Sequence, residues 1–464
     1  MPDLFRVLTT GANSLAAQTA AAATAAHNLQ NVNTPGYARQ RVNIETTLPA
    51  ELAGDAFVGR GALLGTVSQA RDRFLEAQLP AAFGNAAGSS AAAGALASVE
   101  VLNPEARGGI SDALAGFYAA FTQLSQNPSD PGLRQAAIGA ARTLALSFHQ
   151  TRASLEDARA GVDRRVAADV DEANGLAAQV ASLNEQIRAA RAGGGGEPND
   201  LLDARQKAVD RLAELTGAVP VPTSEGDVSL FLAGGAALVT STQAGRLTAL
   251  PDPAQGGHMG IRLTSGGITT ALTPGGELGG LLSASNGALR TAVDALDALA
   301  WDLAGAVNGV HEAGVDLDGN AGLPLFTLGT ATDAATAAGQ LAVNGAVVSD
   351  PDRLATRGVT GGVAGGPGDA KNVLALLATQ STLDPAARLS RITSEFGTAA
   401  RSADAMADAD AGLKQHLVTL RASASGVSTD EELIELQKAQ KAYEAIARVI
   451  TVTNQMFETL LQIK

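Results

Sequence analysis

The sequence predicts a mainly α fold with a small β-rich insertion (an α+β chain), its long helices forming a coiled-coil-like bundle built from the N- and C-terminal halves. Two observations carry this. Hydrophobic residues make up 45% of the 464 positions but aromatic residues only 3%, so the core must be built from Ala, Leu, Val and Ile, which suits close-packed helices. Apolar residues also recur at three- and four-residue spacing through long stretches, and the period drops to two mainly between residues 218 and 275. One core seldom serves a chain of this length. The expected division is 1–66 as an N-terminal axial helix and extended segment pairing with 427–464. A helical rod domain of 67–217 is completed by 276–324 and 366–426; 218–275 forms the β-rich insertion and 325–365 a short β-prone segment and linker.

The first helix places Leu4, Leu8, Leu15, Ala22, Ala26 and Leu29 on one face. That stripe is narrow and mostly alanine, and burial is worth only ~25 cal/mol per Å², so the helix needs a partner. It should stop near Asn31, because Asn33, Pro35 and Gly36 form turns. From Ala38 to Val67 the chain reads as extended, with Val42 and Ile44 on one face and turns at Gly54, Gly59, Gly61 and Gly65. A second helix is expected from near Val67 to Val101. A third runs from Ser111 to Leu124, on Leu114, Phe117, Phe121 and Leu124.

Asp130 is a natural N-cap with Pro131 in the first turn, opening a periodic segment of about sixty residues that ends at the Gly193–Gly196 run. Val162, Val166, Ala173, Leu176, Val180, Leu183 and Ile187 keep a heptad-compatible register along it. At ~1.5 Å per residue it spans roughly 90 Å. Asp200 to Thr216 makes another helix closed by Gly217, after which Val219 and Val221, then Val228, Leu230 and Leu232, then Ile261 and Leu263 alternate as strands. Helical period resumes with Leu289, Val293, Leu296, Ala300, Leu303, Val307 and Val310. Short β-prone pieces follow at Leu325, Leu341–Val343 and Val347–Val348, then a Gly361–Gly368 linker.

Two amphipathic helices close the chain. Leu389, Ile392, Phe396, Ala399, Ala403, Met406, Leu413, Leu417 and Leu420 mark the first, and Leu433, Leu436, Tyr443, Ala447, Ile450, Phe457 and Leu461 the seam of the second, widened by Ile446. Both terminal helices therefore carry seams to satisfy, and packing on each other or on copies of themselves is the simplest solution.

The chemistry of the sequence is sparse. With 33 Lys plus Arg against 47 Asp plus Glu the formal charge is −14, a poor match to a phosphate backbone, so no nucleic-acid partner is expected. There is no cysteine, which removes disulfides, thiol nucleophiles and thiolate metal sites. The five histidines (His27, His149, His258, His311 and His416) are too scattered to share a helix face, and neither HExxH nor GxSxG occurs, so no enzyme activity and no cofactor are expected. Asp316, Asp318 and Asn320 begin like a calcium loop, but Ala321 stands where that loop needs glycine and Thr327 where it needs glutamate, so a turn is the better reading. The start, MPDLFRVLTTGANSL, lacks the basic and apolar regions of a Sec leader, and no run of eighteen apolar residues follows. The last helix has more acidic than basic residues, against a membrane-surface role.

One segment is more specific. Residues 25–42, AAHNLQNVNTPGYARQRV, resemble the signature shared by the rod, hook and junction subunits of the bacterial flagellum, and the end of the chain, DEELIELQKAQKAYEAIARVITVTNQMFETLLQIK, is similar to that family's C-terminal helix. Asn28, Asn31, Asn33, Thr34, Pro35, Gly36 and Tyr37 sit where the family pattern places them, and His27 stands where an Asn is expected. The resemblance implies a structural, extracellular axial subunit exported by the flagellar type III apparatus, and the helical middle implies a hook-filament junction position. It implies as partners further copies of the chain in a ring or helical layer, the hook protein and a second junction protein. It also implies a cytosolic export chaperone holding the last helix through Leu433, Leu436, Tyr443, Ile446, Ile450 and Phe457. The alternatives are another axial subunit of the same family or, from a different class, a secreted coiled-coil effector or adhesin.

Overall fold

The computed structural model describes residues 2–34, 36–47, 50–52, 56–59, 61–99, 109–194 and 196–462. Pro35, Gly54, Val101 and Gly195, and the side chain of Leu4, lie outside the described residues. The chain opens with α1 (Pro2–Gln30), then the antiparallel pair β1 (Gln40–Thr46) and β4 (Ala62–Gln69), with β2 (Ala50–Leu52) and β3 (Ala56–Val58) forming a second hairpin between them. Val67 lies in β4, so the second helix starts later than its composition suggests: α2 (Arg73–Ala97) is opened by Asp72, whose carboxylate accepts from Phe74 N at 2.9 Å and Leu75 N at 3.3 Å.

The body is built on α3 (Ile110–Gln126), α4 (Pro131–Ala192) and α5 (Asn199–Thr216). The 62-residue α4 begins as its cap predicts, with Asp130 Oδ1 accepting from Leu133 N at 2.9 Å, and α5 ends at Gly217 in the left-handed region at φ +67°. Seven strands follow: β5 (Val219–Pro222), β6 (Val228–Phe231), β7 (Ala237–Thr240) and β8 (Gln243–Ala244) in one sheet, and β9 (Arg246–Pro251), β10 (Met259–Ser265) and β11 (Ile268–Leu272) in another. They pack against the second half of α4.

The chain then returns to the body through α6 (Gly276–Ala284), a π-turn, and α7 (Arg290–Glu312). The segment after it holds β12 (Phe326–Thr327), α8 (Ala337–Gln340), β13 (Ala342–Val343), α9 (Gly345–Ser349), β14 (Val359–Thr360) and β15 (Val363–Ala364). Two expectations are corrected here. Val347 and Val348 belong to α9, which Asn344 caps through Ala346 N, and not to a strand. Gly361 and Gly362 are not linker but the two-residue turn of the β14–β15 hairpin, at φ +60° and +79°, a turn that glycine makes without strain. Asp316 and Asn320 form a turn, with Asn320 N donating to Asp316 Oδ1 at 2.8 Å. Three helices close the chain: α10 (Lys371–Thr382), α11 (Pro385–Ser425) and α12 (Thr429–Gln462).

One aromatic cluster lies in the core, where Phe117 is 4.8 Å from Phe121 and 5.9 Å from Phe326 between ring centres. On α2, Leu79, Ala82 and Phe83 pack with Leu417 of α11 in a second, smaller cluster. Away from this body α1 packs along α12. A methyl group on Gly11 would lie 2.8 Å from Ile450, so that crossing requires glycine, and Phe5 meets Phe457 edge-on at 5.5 Å.

A recurring device joins helices to strands. Asn174 and Asn184 of α4 and Asn308 of α7 each use the side-chain amide to pair both backbone groups of a single residue: Leu247, Val228 and Phe326, at 2.8 to 3.2 Å. Each carboxamide does what a neighbouring strand would do, so at these residues the backbone groups that the sheet leaves free are satisfied by a helix.

Candidate functional site

The two chain ends and the body meet at one polar joint, and Asn28 is its centre. This residue, in the last full turn of α1, is buried, and its amide makes four hydrogen bonds. Nδ2 donates to Gln40 O at 2.8 Å and to Glu432 Oε2 at 2.9 Å, and Oδ1 accepts from Tyr37 Oη at 2.7 Å and Gln40 N at 2.9 Å. It repeats at the head of β1 the strand-mimicking device of the body, and adds a link to α12.

The turn residues shape the exit from α1. Asn31 Nδ2 donates to His27 O at 3.0 Å, Thr34 Oγ1 donates to Asn31 Oδ1 at 3.1 Å, and Gly36 takes φ +83° to bring Tyr37 back under the helix. Asn33 is exposed. Burial, and then the carboxylates of Asp203, Asp200 and Glu432, push the Tyr37 phenol well above its usual value, so it stays a donor to Asn28. His27 fits its own niche, with Nε2 3.3 Å from Asp200 Oδ1 and its ring on the edge of Tyr37 at 5.6 Å.

Arg39 ties the joint to α12, with NH1 2.5 Å from Glu431 and Nε 2.6 Å from the buried Glu432, while its backbone N donates to Ser425 O at the end of α11. The start of α5 forms the socket on the body side. Gln69 donates to Asn199 O at 2.9 Å and to Asp203 Oδ1 at 2.8 Å, Arg71 pairs with Asp203 at 2.5 Å, and Gln40 donates to Asp200 at 3.2 Å. Glu76, flanked by Arg71 and Arg421, and Asp203 are both held above the usual carboxylate range, first by burial.

Of the predicted seam on α12, Leu436, Ile446, Ile450 and Phe457 are half-buried, whereas Leu433, Tyr443 and Leu461 are 42%, 46% and 53% exposed. The buried and half-buried line towards α1 runs Glu432, Leu436, Ala439, Ile446, Ile450, Thr453 and Phe457. Tyr443 lines a cleft of about 400 Å³ together with Gln18, Thr19 and Ala22 of α1. The sequence marks Asp200 only as a helix start and Glu432 only as one of the acidic residues of the last helix, and it does not mark Asn199, Asp203 or Arg71. A signal existed for Glu432, which stands four residues before Leu436 and seven before Ala439, a charge on the apolar face. Among the described residues no group of three or more His, Cys, Asp or Glu is placed to hold a metal, and no helix is long and apolar enough to cross a membrane.

The fold and the joint define a stalk-and-body protein, whose chain ends form one helical pair seated on a long helical body. The family description "Flagellar hook-associated protein FlgK helical domain" matches residues 96–326, and "Flagellar basal body rod FlgEFG protein C-terminal" matches residues 421–463. Flagellar hook-associated protein 1 of Escherichia coli strain K12 is 31% identical over 68% of this chain and 59% of its own length, and that of Salmonella typhimurium 32% identical over 68% and 58%. The Bacillus subtilis protein of the same name is 28% identical over 99% of this chain and 98% of its own length. The solved structure of the flagellar hook junction protein FlgK from Burkholderia pseudomallei is 32% identical, with a TM-score of 0.50 over 54% of this chain and 46% of that one. The chain belongs to the flagellar hook-associated protein 1 family. It spans less than two thirds of the length of the enteric relatives it matches.

Proposed function

We propose that this chain is a non-enzymatic structural subunit of the bacterial flagellum, lying outside the cell at the junction between hook and filament and assembled there after type III export. The observation that carries the reading is a stripe of α12 beside the line that meets α1, where Val449, Val452, Met456 and Leu460 recur at three- and four-residue spacing and are exposed, with Ile434 on the same stripe. Contiguous apolar surface on one helix is a liability in a free subunit and an asset in a tube of packed helices. In this reading 1–66 and 427–464 form the axial stalk that continues the tube, and 67–217 with 276–324 and 366–426 forms the rod-like body that makes lateral contacts. The β insertion of 218–275 and the segment 325–365 decorate that body.

The mechanism is mechanical matching. Asn28, Asn31, Asn33, Thr34, Pro35, Gly36 and Tyr37 set the exit of the stalk, and the joint at Asn28 transmits load from stalk to body. The partners are neighbouring copies in a ring or helical layer, the hook protein on one side and a second junction protein on the other. Before export the cytosolic chaperone holds α12 by its seam, through Leu433, Leu436, Tyr443, Ile446, Ile450 and Phe457. Replacing Ile450 and Phe457 by Asp places two charges in the α1–α12 contact. Incorporation into flagella should be lost while the circular dichroism and protease resistance of the body persist; normal incorporation of that variant overturns the stalk mechanism.

A further inference from the structure

Outside the terminal pair the body carries an unpartnered apolar ridge and an unfilled groove whose chemistries are opposite. The ridge is on α11, where Met406, Leu413 and Leu420 recur at heptad spacing and are 59%, 50% and 42% exposed, with Asp410 beside them. The groove, of about 860 Å³, runs between the first half of α4 and the β13–α9 segment. Its apolar floor includes Val343, Val348 and the 55% exposed Leu146, and its rim carries Arg142 and His149. Neither rim residue has an ion-pair or hydrogen-bond partner among the described residues, and neither has Asp410. In a chain of net charge −14, an unpaired arginine beside an apolar floor selects an acidic, apolar helix face. Arg142, Leu146 and His149 stand at i, i+4 and i+7 and so share one face of α4, and Met406, Asp410 and Leu413 at the same spacing share one face of α11, so each surface presents its charge beside its apolar groups.

Ridge and groove cannot satisfy each other within one subunit. Lys414, next to Leu413, pairs with Glu214, and Arg211 links Glu214 to Glu172 of α4. Leu146 lies 26 residues before Glu172 on the same helix, a separation of roughly 40 Å at 1.5 Å per residue. We infer that the α11 ridge of one copy docks in the α4 groove of the next. This inference rests on the proposed function and names the lateral contact it requires. Because two different surfaces meet, the contact is heterologous and repeats from copy to copy into a ring or helical layer. It joins few side chains, well short of what holds a stable dimer, so it closes only after the stalks have brought copies together.

The chain has no cysteine, so Leu146→Cys with Leu413→Cys gives one unambiguous pair at two exposed positions. Flagella from cells carrying only this double variant are isolated, treated with oxidant or a short bis-maleimide, and resolved on denaturing gels. The expected result is a ladder of multimers absent from either single variant. Arg142→Asp should lower the cross-linked fraction at least fivefold, and adding Asp410→Arg should restore it. Flagella that contain the double variant at wild-type amounts but yield no ladder overturn this contact and leave the junction reading standing. A ladder unaffected by both charge reversals overturns the proposed register. Absence of the unmodified chain from flagella overturns the junction reading and this contact with it.

Discussion

Asn28 and Glu432, 404 positions apart in sequence, are joined by a 2.9 Å hydrogen bond between two buried side chains, and this bond ties the last turn of the first helix to the first turn of the last one. Neither helix has a broad enough apolar face to be held by burial alone, so the bond sets the register in which the narrow faces meet.

Replacing Asn28 removes all of this at once. Asn28→Ala strands the backbone of Gln40, the Tyr37 hydroxyl and one Glu432 oxygen in a buried site, at about 1–3 kcal/mol for each group left unpaired. Hydrogen exchange should show protection falling along β1 and α12 while α3 and α7 are unchanged. Asn28→Asp should be worse than alanine, since it sets a second carboxylate against Glu432. Equal protection in wild type and both variants would contradict the role given to the joint.

His311 makes the body acid-sensitive. It is buried on α7, its Nε2 accepts from Ala355 N at 2.9 Å, and burial lowers its pKa to about 4 from an ordinary 6.5. The unfolded chain therefore takes up the proton first. The stability this histidine contributes is whole above about pH 6.5 and is lost as pH falls from there towards 4, roughly 2 kcal/mol of it by pH 5. His311→Gln should lower Tm at pH 7.5 and narrow the difference in Tm between pH 7.5 and pH 5; an unchanged difference would rule the histidine out.

Asp169 has the opposite sign. Burial first, and Glu277 next, raise its carboxyl to about 6, and its Oδ2 has no hydrogen-bond partner among the described residues. The folded state favours the protonated form, so this contribution is present below the unfolded value near 4 and is lost as pH rises through 6. Asp169→Asn should raise Tm at pH 7.5 and leave it nearly unchanged at pH 4. A variant equally or less stable at pH 7.5 would count against the assignment.

How much of this was legible follows from the physics of each element. Asp130 before Pro131, and Gly217 after Thr216, announce helix ends by local chemistry, and the structure puts them there. The start of α2 is not legible in the sequence because Val67 fits either a strand or a helix, and only its pairing with Val42 decides. Gly361–Gly362 looked like a linker because a tight turn and a flexible segment share composition. The signature around Asn28 was visible as a pattern, but its socket at Asn199, Asp200 and Asp203 was not, since nothing in the first forty residues says which distant carboxylates will face them. The helix asparagines Asn174, Asn184 and Asn308 were readable as anomalies, polar groups of low helix propensity inside apolar periodicity, and each marks a strand contact.

The most direct measurement of the central claim is immunogold electron microscopy of intact flagella with antibody raised against residues 218–275, the β insertion on the body. The account predicts a single band of gold at the boundary between hook and filament. Label spread along the hook or the filament, or no label on flagella at all, would contradict it.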